Sequence, residues 1–386
     1  MLTTHGVQQQ QQQQPAQLVY VLRGHSAQIH ALLFTRGNER LVTADADGWV
    51  VVWNVATRRP VSVWKAHEGA VMNVAEWGGR LLTHGRDNKI LVWKLGSVQD
   101  ETGMDIALPV EENAGHRRSP WLLSSLDVNA LNFCGFAMCV EQRARIMDEQ
   151  EEREETLLVA VPSVLNSDSV DIMRLPTKER VHAAIGTTVA KTGMAMDLAI
   201  LYSEDALVLV AAYESGHAAV YRLNEGGSWN TTYLQNPHSQ PVLSLSISPF
   251  PDTAPYFFTS SADAVIAKHP LHLSTSTAPS PAKVVNTKHS GQQSISVRSD
   301  GKIFATAGWD TRIRVYSAKT MKELAVLKWH REGCYAVAFG EVLSQEGNGE
   351  DGVMVTAEER RRERVKTVHW VAGGAKDGKV SLWEIY

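Results

Sequence analysis

The 386-residue chain is poor in the features that anchor, export or cross-link a protein. Its three cysteines, Cys134, Cys139 and Cys334, are too few for a disulfide framework and fit a reducing compartment. No apolar run approaches the roughly 18 residues that a membrane-spanning helix needs, which excludes that class. The opening residues Met1-Leu2-Thr3-Thr4-His5 run into glutamines, with no basic-then-apolar leader, so secretion is not expected. Nor does one charge dominate. The chain carries 38 Lys and Arg against 42 Asp and Glu, a formal charge of −4 that argues against a nucleic-acid clamp. With 44% hydrophobic and 21% charged residues, it has enough apolar material for a sizeable core. Length alone would allow two or three domains. What is abundant is tryptophan, at 11 residues, and its placement organises the rest.

The stretch Asp47-Gly48-Trp49-Val50-Val51-Val52-Trp53 recurs as Asp87-Asn88-Lys89-Ile90-Leu91-Val92-Trp93. It returns as Asp310-Thr311-Arg312-Ile313-Arg314-Val315-Tyr316 and as Asp377-Gly378-Lys379-Val380-Ser381-Leu382-Trp383. A weaker copy runs from Asp263 to His269. Each copy is a turn followed by an alternating strand that ends in a ring. Upstream of the copies stand His25, His67, His238, His289 and His330. Two further copies are degenerate, with Met173 in place of the ring in one and Ser215 in place of the aspartate in the other.

This pattern resembles the WD-repeat family, whose members fold as β-propellers with four antiparallel strands per blade. The copies imply an all-β, seven-bladed WD-repeat β-propeller. Residues 17–386 would give about 53 per blade, above the roughly 40–45 of such repeats. Insertions at 96–120, 141–155 and 341–368 absorb the excess. The resemblance places the strands of blade one near 27–34, 40–44, 48–54 and 61–66. The chain ends directly after a third strand, while residues 17–22 form a strand without a blade. That strand is expected to complete blade seven and close the ring, which removes exposed sheet edges. Residues 1–16, with their polyglutamine run, are expected to be a disordered tail.

Several residue sets mimic chemistry. His25, Thr43, Asp47 and Trp53 invite a nucleophile–base–orienter reading. The same set recurs as His67, Thr83, Asp87 and Trp93, and nearly as His289, Thr306, Asp310 and Tyr316. An active site does not recur once per blade. The resemblance implies that these tetrads are buried hydrogen-bond chains between strands. In blade seven Gly373 replaces the hydroxyl residue, which predicts a shorter chain there. The run Gly373-Gly374-Ala375-Lys376-Asp377-Gly378-Lys379 has the spacing of a phosphate loop but continues into Val380 and a strand, so it is rejected. Cys134 and Cys139, five apart on an alternating strand, should face opposite ways and cannot share a metal. No catalytic set survives; a non-enzyme without cofactor or metal is expected.

The divergent parts narrow the resemblance. Pro120-Trp121-Leu122-Leu123 leading into residues 128–134, Leu158-Val159-Ala160-Val161-Pro162 with Val170-Asp171-Ile172, and the ending from Ala372 to Tyr386 are similar to the fungal ASTRA-associated protein 1 family. Its animal relatives are called guanine nucleotide-binding protein β-subunit-like protein 1. Membership would imply a nuclear scaffold in the ASTRA assembly, linked to chromatin remodelling and to maturation of PI3-kinase-like kinases. The partners implied are a PI3-kinase-like scaffold, RuvB-like ATPases and a kinase cochaperone, with no membrane and no direct nucleic-acid contact. The alternatives are a substrate receptor of a cullin ubiquitin ligase or another generic WD-repeat adaptor. A heterotrimeric G-protein β subunit would need a long N-terminal coiled-coil helix that residues 1–16 do not supply.

Two surface features are candidate partner sites. Trp309, directly before Asp310, is a large aromatic in an expected turn. The three insertions would emerge on one face, opposite the histidine turns. There 141–155 reads as a charged helix, and Arg360, Arg361, Arg362 and Arg364 would steer an acidic partner.

Overall fold

The computed structural model describes residues 15–96, 104–111, 117–129, 133–142, 155–186, 190–249, 255–271, 280–343 and 356–386. Residues 1–14, most of 141–155 and 344–355 lie outside it. Expectations about the glutamine tail and a helix in 141–155 therefore fall on residues not described.

The strands form seven four-stranded antiparallel sheets, each made of sequence-consecutive strands except one. Blade one shows the plan. Its inner strand is Ile29–Thr35, followed by Arg40–Asp45, Trp49–Asn54 and the outer Arg59–Lys65. The second strand is buried at every position, and the third over Val50–Trp53, because neighbouring blades cover both faces. That is why the third strand, expected to alternate, is instead apolar throughout Val50–Trp53. The exception in connectivity closes the ring. Gln17–Arg23 pairs with Lys379–Ile385, Leu22 opposite Val380, so the first strand of the chain is the fourth of blade seven. The seven-bladed propeller is closed by its N-terminal strand.

Aspartate–glycine turns also join neighbouring blades. Gly48 has φ 89°, and a Cβ there would lie 1.9 Å from the His67 carbonyl oxygen of the next blade. Gly378 meets the His25 carbonyl oxygen in the same way, at 2.3 Å. The Gly48 carbonyl accepts from the Ala66 N–H at 2.8 Å. Only glycine combines the left-handed backbone with this approach. Among the described residues there is one helix, Ala357–Thr367, termed α1, capped by a Thr356–Glu359 box. It is not long and apolar enough to cross a membrane.

Candidate functional site

The repeated tetrads resemble catalytic sets in composition. In blade two His67 Nδ1 lies 2.9 Å from Asp87 Oδ1 and Nε2 lies 2.8 Å from Thr83 Oγ1. Trp93 Nε1 donates to the same hydroxyl at 2.9 Å. Burial pushes the His67 pKa down, against the pull of Asp87, which favours the neutral ring. A neutral ring that donates through Nδ1 leaves Nε2 to accept from Thr83. Each polar atom then has a partner, and Thr83 is fully buried, out of reach of a substrate.

Blade one departs from the expected set. The carboxylate on His25 is Asp45, at 2.6 Å from Nδ1, and not Asp47, which is exposed. Asp45 also accepts from the Asp47 and Trp49 N–H groups, at 3.0 Å each. The reason lies in its position. Asp45 corresponds to Gly85 of blade two, where a Cβ would stand 2.2 Å from His67 Nδ1. With a glycine there the carboxylate must come from the turn; with an aspartate there it is already in place. The rest of the chain, Thr43 to His25 at 2.6 Å and Trp53 to Thr43 at 2.9 Å, follows the blade-two pattern.

Blade six departs further. Asp310 is gripped by two Arg314 nitrogens at 3.0 and 2.6 Å, while His289 is half-exposed and 3.5 Å from Asp310. No hydrogen bond joins His289 to Thr306 among the described residues. Thr306 is buried, and the Tyr316 ring stacks on Phe304 instead. Burial pushes the Asp310 carboxyl up, but Arg314 outweighs it and holds the group below its ordinary value. In blade seven the chain is shorter, but at the carboxylate end, where His330 Nδ1 has no partner among the described residues; the hydroxyl link that Gly373 lacks is kept from the next strand. Ser381 Oγ lies 2.8 Å from His330 Nε2 and accepts from Trp383 Nε1 at 2.9 Å. Blade five keeps His238, Thr259 and Asp263 and puts His269 in the ring position, bonded onward to Tyr233 of blade four at 2.7 Å. Among the described residues no group of three or more His, Cys, Asp or Glu side chains is placed to hold a metal ion. Cys134 and Cys139 do not face opposite ways. Both meet one apolar cluster, because Cys134 precedes the strand Ala137–Val140 instead of lying on it.

The inner strands enclose a central cavity of about 620 Å³ to which all seven blades contribute. Two inner-strand residues that directly follow a bulge staple adjacent blades there. Asn73 Nδ2 donates to the Phe136 carbonyl at 2.8 Å, and Asp197 Oδ2 accepts from the Leu245 N–H at 2.7 Å. Burial raises the Asp197 pKa to about 6, opposed by the backbone N–H groups of Leu245 and Leu198. Near the cavity, Trp309 is 43% exposed, its ring over Gly291 and its Nε1 donating to Gln293, a cavity-lining residue, at 2.8 Å. Its ring is thus held against its own blade while keeping an open face.

The insertions are anchored. Asp105 O accepts from the Val63 N–H at 2.8 Å, and Val110 N donates to Gly24 O at 3.2 Å. Residues 104–111 therefore run as a strap along the outer edge of blade one, with Leu108 packed towards Gly24 and Trp53. Of 341–368, helix α1 sits on the rim between blades seven and one. Val365 is buried, and its carbonyl accepts from Trp370 Nε1 at 2.9 Å. Arg362 and Lys366 reach Glu39, and Arg364 reaches Glu384. Arg360 and Arg361 are exposed. Arg361 and Arg364 border a cleft with Arg58 and Arg59 that has no carboxylate in its lining. The basic cleft was not legible in sequence, because its halves come from residues about 300 positions apart.

A closed ring of four-stranded blades, with buried polar chains that recur from blade to blade, defines a seven-bladed β-propeller. The family model for ASTRA-associated protein 1 matches residues 18–336. A protein of that description from Verticillium alfalfae is 47% identical over 381 residues, covering 95% of this chain and 92% of its own. One from Penicillium rubens is 43% identical over 438 residues, with 97% and 99% covered. One from Schizosaccharomyces pombe is 32% identical over 397 residues, with 95% and 98% covered. The chain belongs to the ASTRA-associated protein 1 family.

Proposed function

We propose that this chain is a non-catalytic WD-repeat scaffold, a nuclear subunit of the ASTRA assembly that serves chromatin remodelling and the maturation of PI3-kinase-like kinases. The relatives' shared name supports association with that assembly. Its partners on this reading are a PI3-kinase-like scaffold, RuvB-like ATPases and a kinase cochaperone. The observation that carries the docking side is α1. Its Val365 and the Trp370 indole fix it to the propeller, while Arg361 borders the cleft with Arg58 and Arg59 and Arg360 is exposed. A rigidly held basic helix suits electrostatic steering of an acidic protein surface.

The test is affinity purification from the native host with mass spectrometry, using wild type and Arg360→Glu/Arg361→Glu. Loss of the assembly's subunits from the variant, at unchanged melting temperature, supports the reading. Undiminished recovery at high salt removes α1 as the docking element, and recovery of no ASTRA subunit with wild type removes the assignment itself.

A further inference from the structure

A cavity of about 540 Å³ opens between blades one and two, distinct from both the central channel and the α1 cleft. Its floor is one cross-strand row of blade one: Val42 faces Val52, and Val52 faces Ser62. A row of this kind, buried between blades, calls for a third apolar side chain. Instead it ends in a hydroxyl that is 6% exposed and has no hydrogen-bond partner in the protein. Such an orphan is costly unless something meets it. Around the hydroxyl the lining supplies Arg36, Arg40, Lys94 and Arg118, and the nearby Asp105 carboxylate is engaged by the Arg118 backbone N–H at 2.6 Å. Arg36 is engaged by the Gly96 carbonyl and Arg40 is almost wholly buried, whereas Lys94 and Arg118 are exposed. Trp121 also borders the cavity, 81% exposed, and is followed by Leu122 and Leu123, each 49% exposed on the outer strand of blade two. A tryptophan–leucine–leucine run in the open beside the exposed cations Lys94 and Arg118 is a surface suited to a partner with both chemistries.

We propose that this cleft binds an acidic segment of a partner protein: its anionic side chain is received by Lys94, Arg118 and Ser62 Oγ, and an adjacent apolar side chain packs on Trp121. Charge complementarity selects the anion, and the exposed aromatic selects a peptide over a free ion. The overall charge of −4 disfavours a nucleic acid as the occupant. The assignment does not depend on docking through α1, whose Arg360 and Arg361 lie outside this cleft.

The test uses the purified full chain and fluorescence anisotropy. Three short labelled peptides share one design, a single Phe among serines, flanked by glutamates, by phosphoserines or by lysines. The glutamate or phosphoserine peptide should bind, more weakly as salt rises, and the lysine peptide should not. Lys94→Glu/Arg118→Glu should lower affinity at least about tenfold. Trp121→Ala should weaken both acidic peptides at an unchanged melting temperature, because the ring is exposed. Ser62→Ala should weaken them without the salt dependence changing. Tighter binding of either acidic peptide supports the proposal and identifies the anion. It is overturned if neither binds, if the charge-reversed variant binds as well as wild type, or if the lysine peptide binds equally. Displacement of the peptide by inorganic phosphate or a single-stranded oligonucleotide at matched concentration would assign the cleft to those ligands instead.

Discussion

Ser381 stands directly opposite Gly373 in the ladder of blade seven and supplies, from the neighbouring strand, the hydroxyl that Gly373 lacks. The same ladder position is Val51 in blade one, Leu91 in blade two and Arg314 in blade six. Where it is apolar, a threonine on the second strand joins histidine to tryptophan. Where it is polar, it rewires the chain, as a hydroxyl in blade seven and as a guanidinium on Asp310 in blade six. Ser381→Ala should therefore strip a partner from both His330 Nε2 and Trp383 Nε1 and cost about 1–3 kcal/mol. Gly373→Ser is no simple repair, because a Cβ there would stand 1.9 Å from Ile313 Cδ1. Urea unfolding of Ser381→Ala checks this; a cost within about 0.5 kcal/mol would show the hydroxyl to be dispensable.

Blade one permits a sharper comparison, between two acids two residues apart. Asp45 holds His25 and two turn N–H groups, so Asp45→Ala should cost about 3 kcal/mol. Asp47→Ala, at an exposed position, should fall within about 0.5 kcal/mol of wild type. Equal effects in chemical denaturation would contradict the geometry.

Much of the fold was legible because one pattern repeats. A turn, an alternating strand and a terminal ring, copied with a histidine upstream, leave few folds open, and residues 17–22 had nowhere else to pair. What escaped was local chemistry. Asp45 and Asp47 are the same residue type on either side of a turn, and only the space around His25 distinguishes them. The blade-six exchange did leave a signal: an arginine, Arg314, on a strand whose counterparts are apolar. The course of 104–111 left none, since two backbone bonds, to Val63 and Gly24, and one leucine hold it.

Acid sensitivity follows from buried rings. Burial pushes the pKa of His84 and of His269 down to about 3. Below the ordinary histidine value near 6.5 the unfolded chain takes up protons that these folded rings refuse, so stability falls as pH drops from about 6.5 towards 3. Asp197 acts oppositely. Its folded pKa of about 6 exceeds the ordinary 3.8, so its contribution declines as pH rises from about 4 to 6. Neither ring nitrogen of His84 has a partner in the protein, so His84→Leu should flatten the acid limb with little cost at neutral pH. Asp197→Asn should remove only the opposing slope. Melting temperatures measured between pH 4 and 7 decide, and an unaltered acid limb in His84→Leu would sink the assignment.

Ring closure can be tested by truncation. Removing residues 1–23 deletes the strand paired with Lys379–Ile385, including buried Val21 and Leu22. The exposed edge should lower soluble yield and melting temperature sharply. Removing only 1–14 should leave both unchanged. Equal behaviour of the two truncations would show that the closing strand contributes nothing.

The strap at 104–111 reverses an expectation about the insertions. A solvated loop can be exchanged for a short Gly-Ser linker without cost. This one covers the outer edge of blade one at Val63, ties to Gly24 and presses Leu108 towards Gly24 and Trp53, beside the His25 chain. Replacing 97–118 by a linker should therefore destabilise the propeller, through a lost edge contact and a thinned cover over Trp53. The single change Leu108→Ala should capture part of that loss, about 1–2 kcal/mol for a partly buried leucine, below the roughly 2–5 of a fully buried one. Hydrogen exchange at the Val63 amide provides the local readout: it should quicken in the linker variant and stay slow in wild type. If exchange and melting temperature are both unaltered, the strap is only a covering loop, and the rim of blade one owes it nothing.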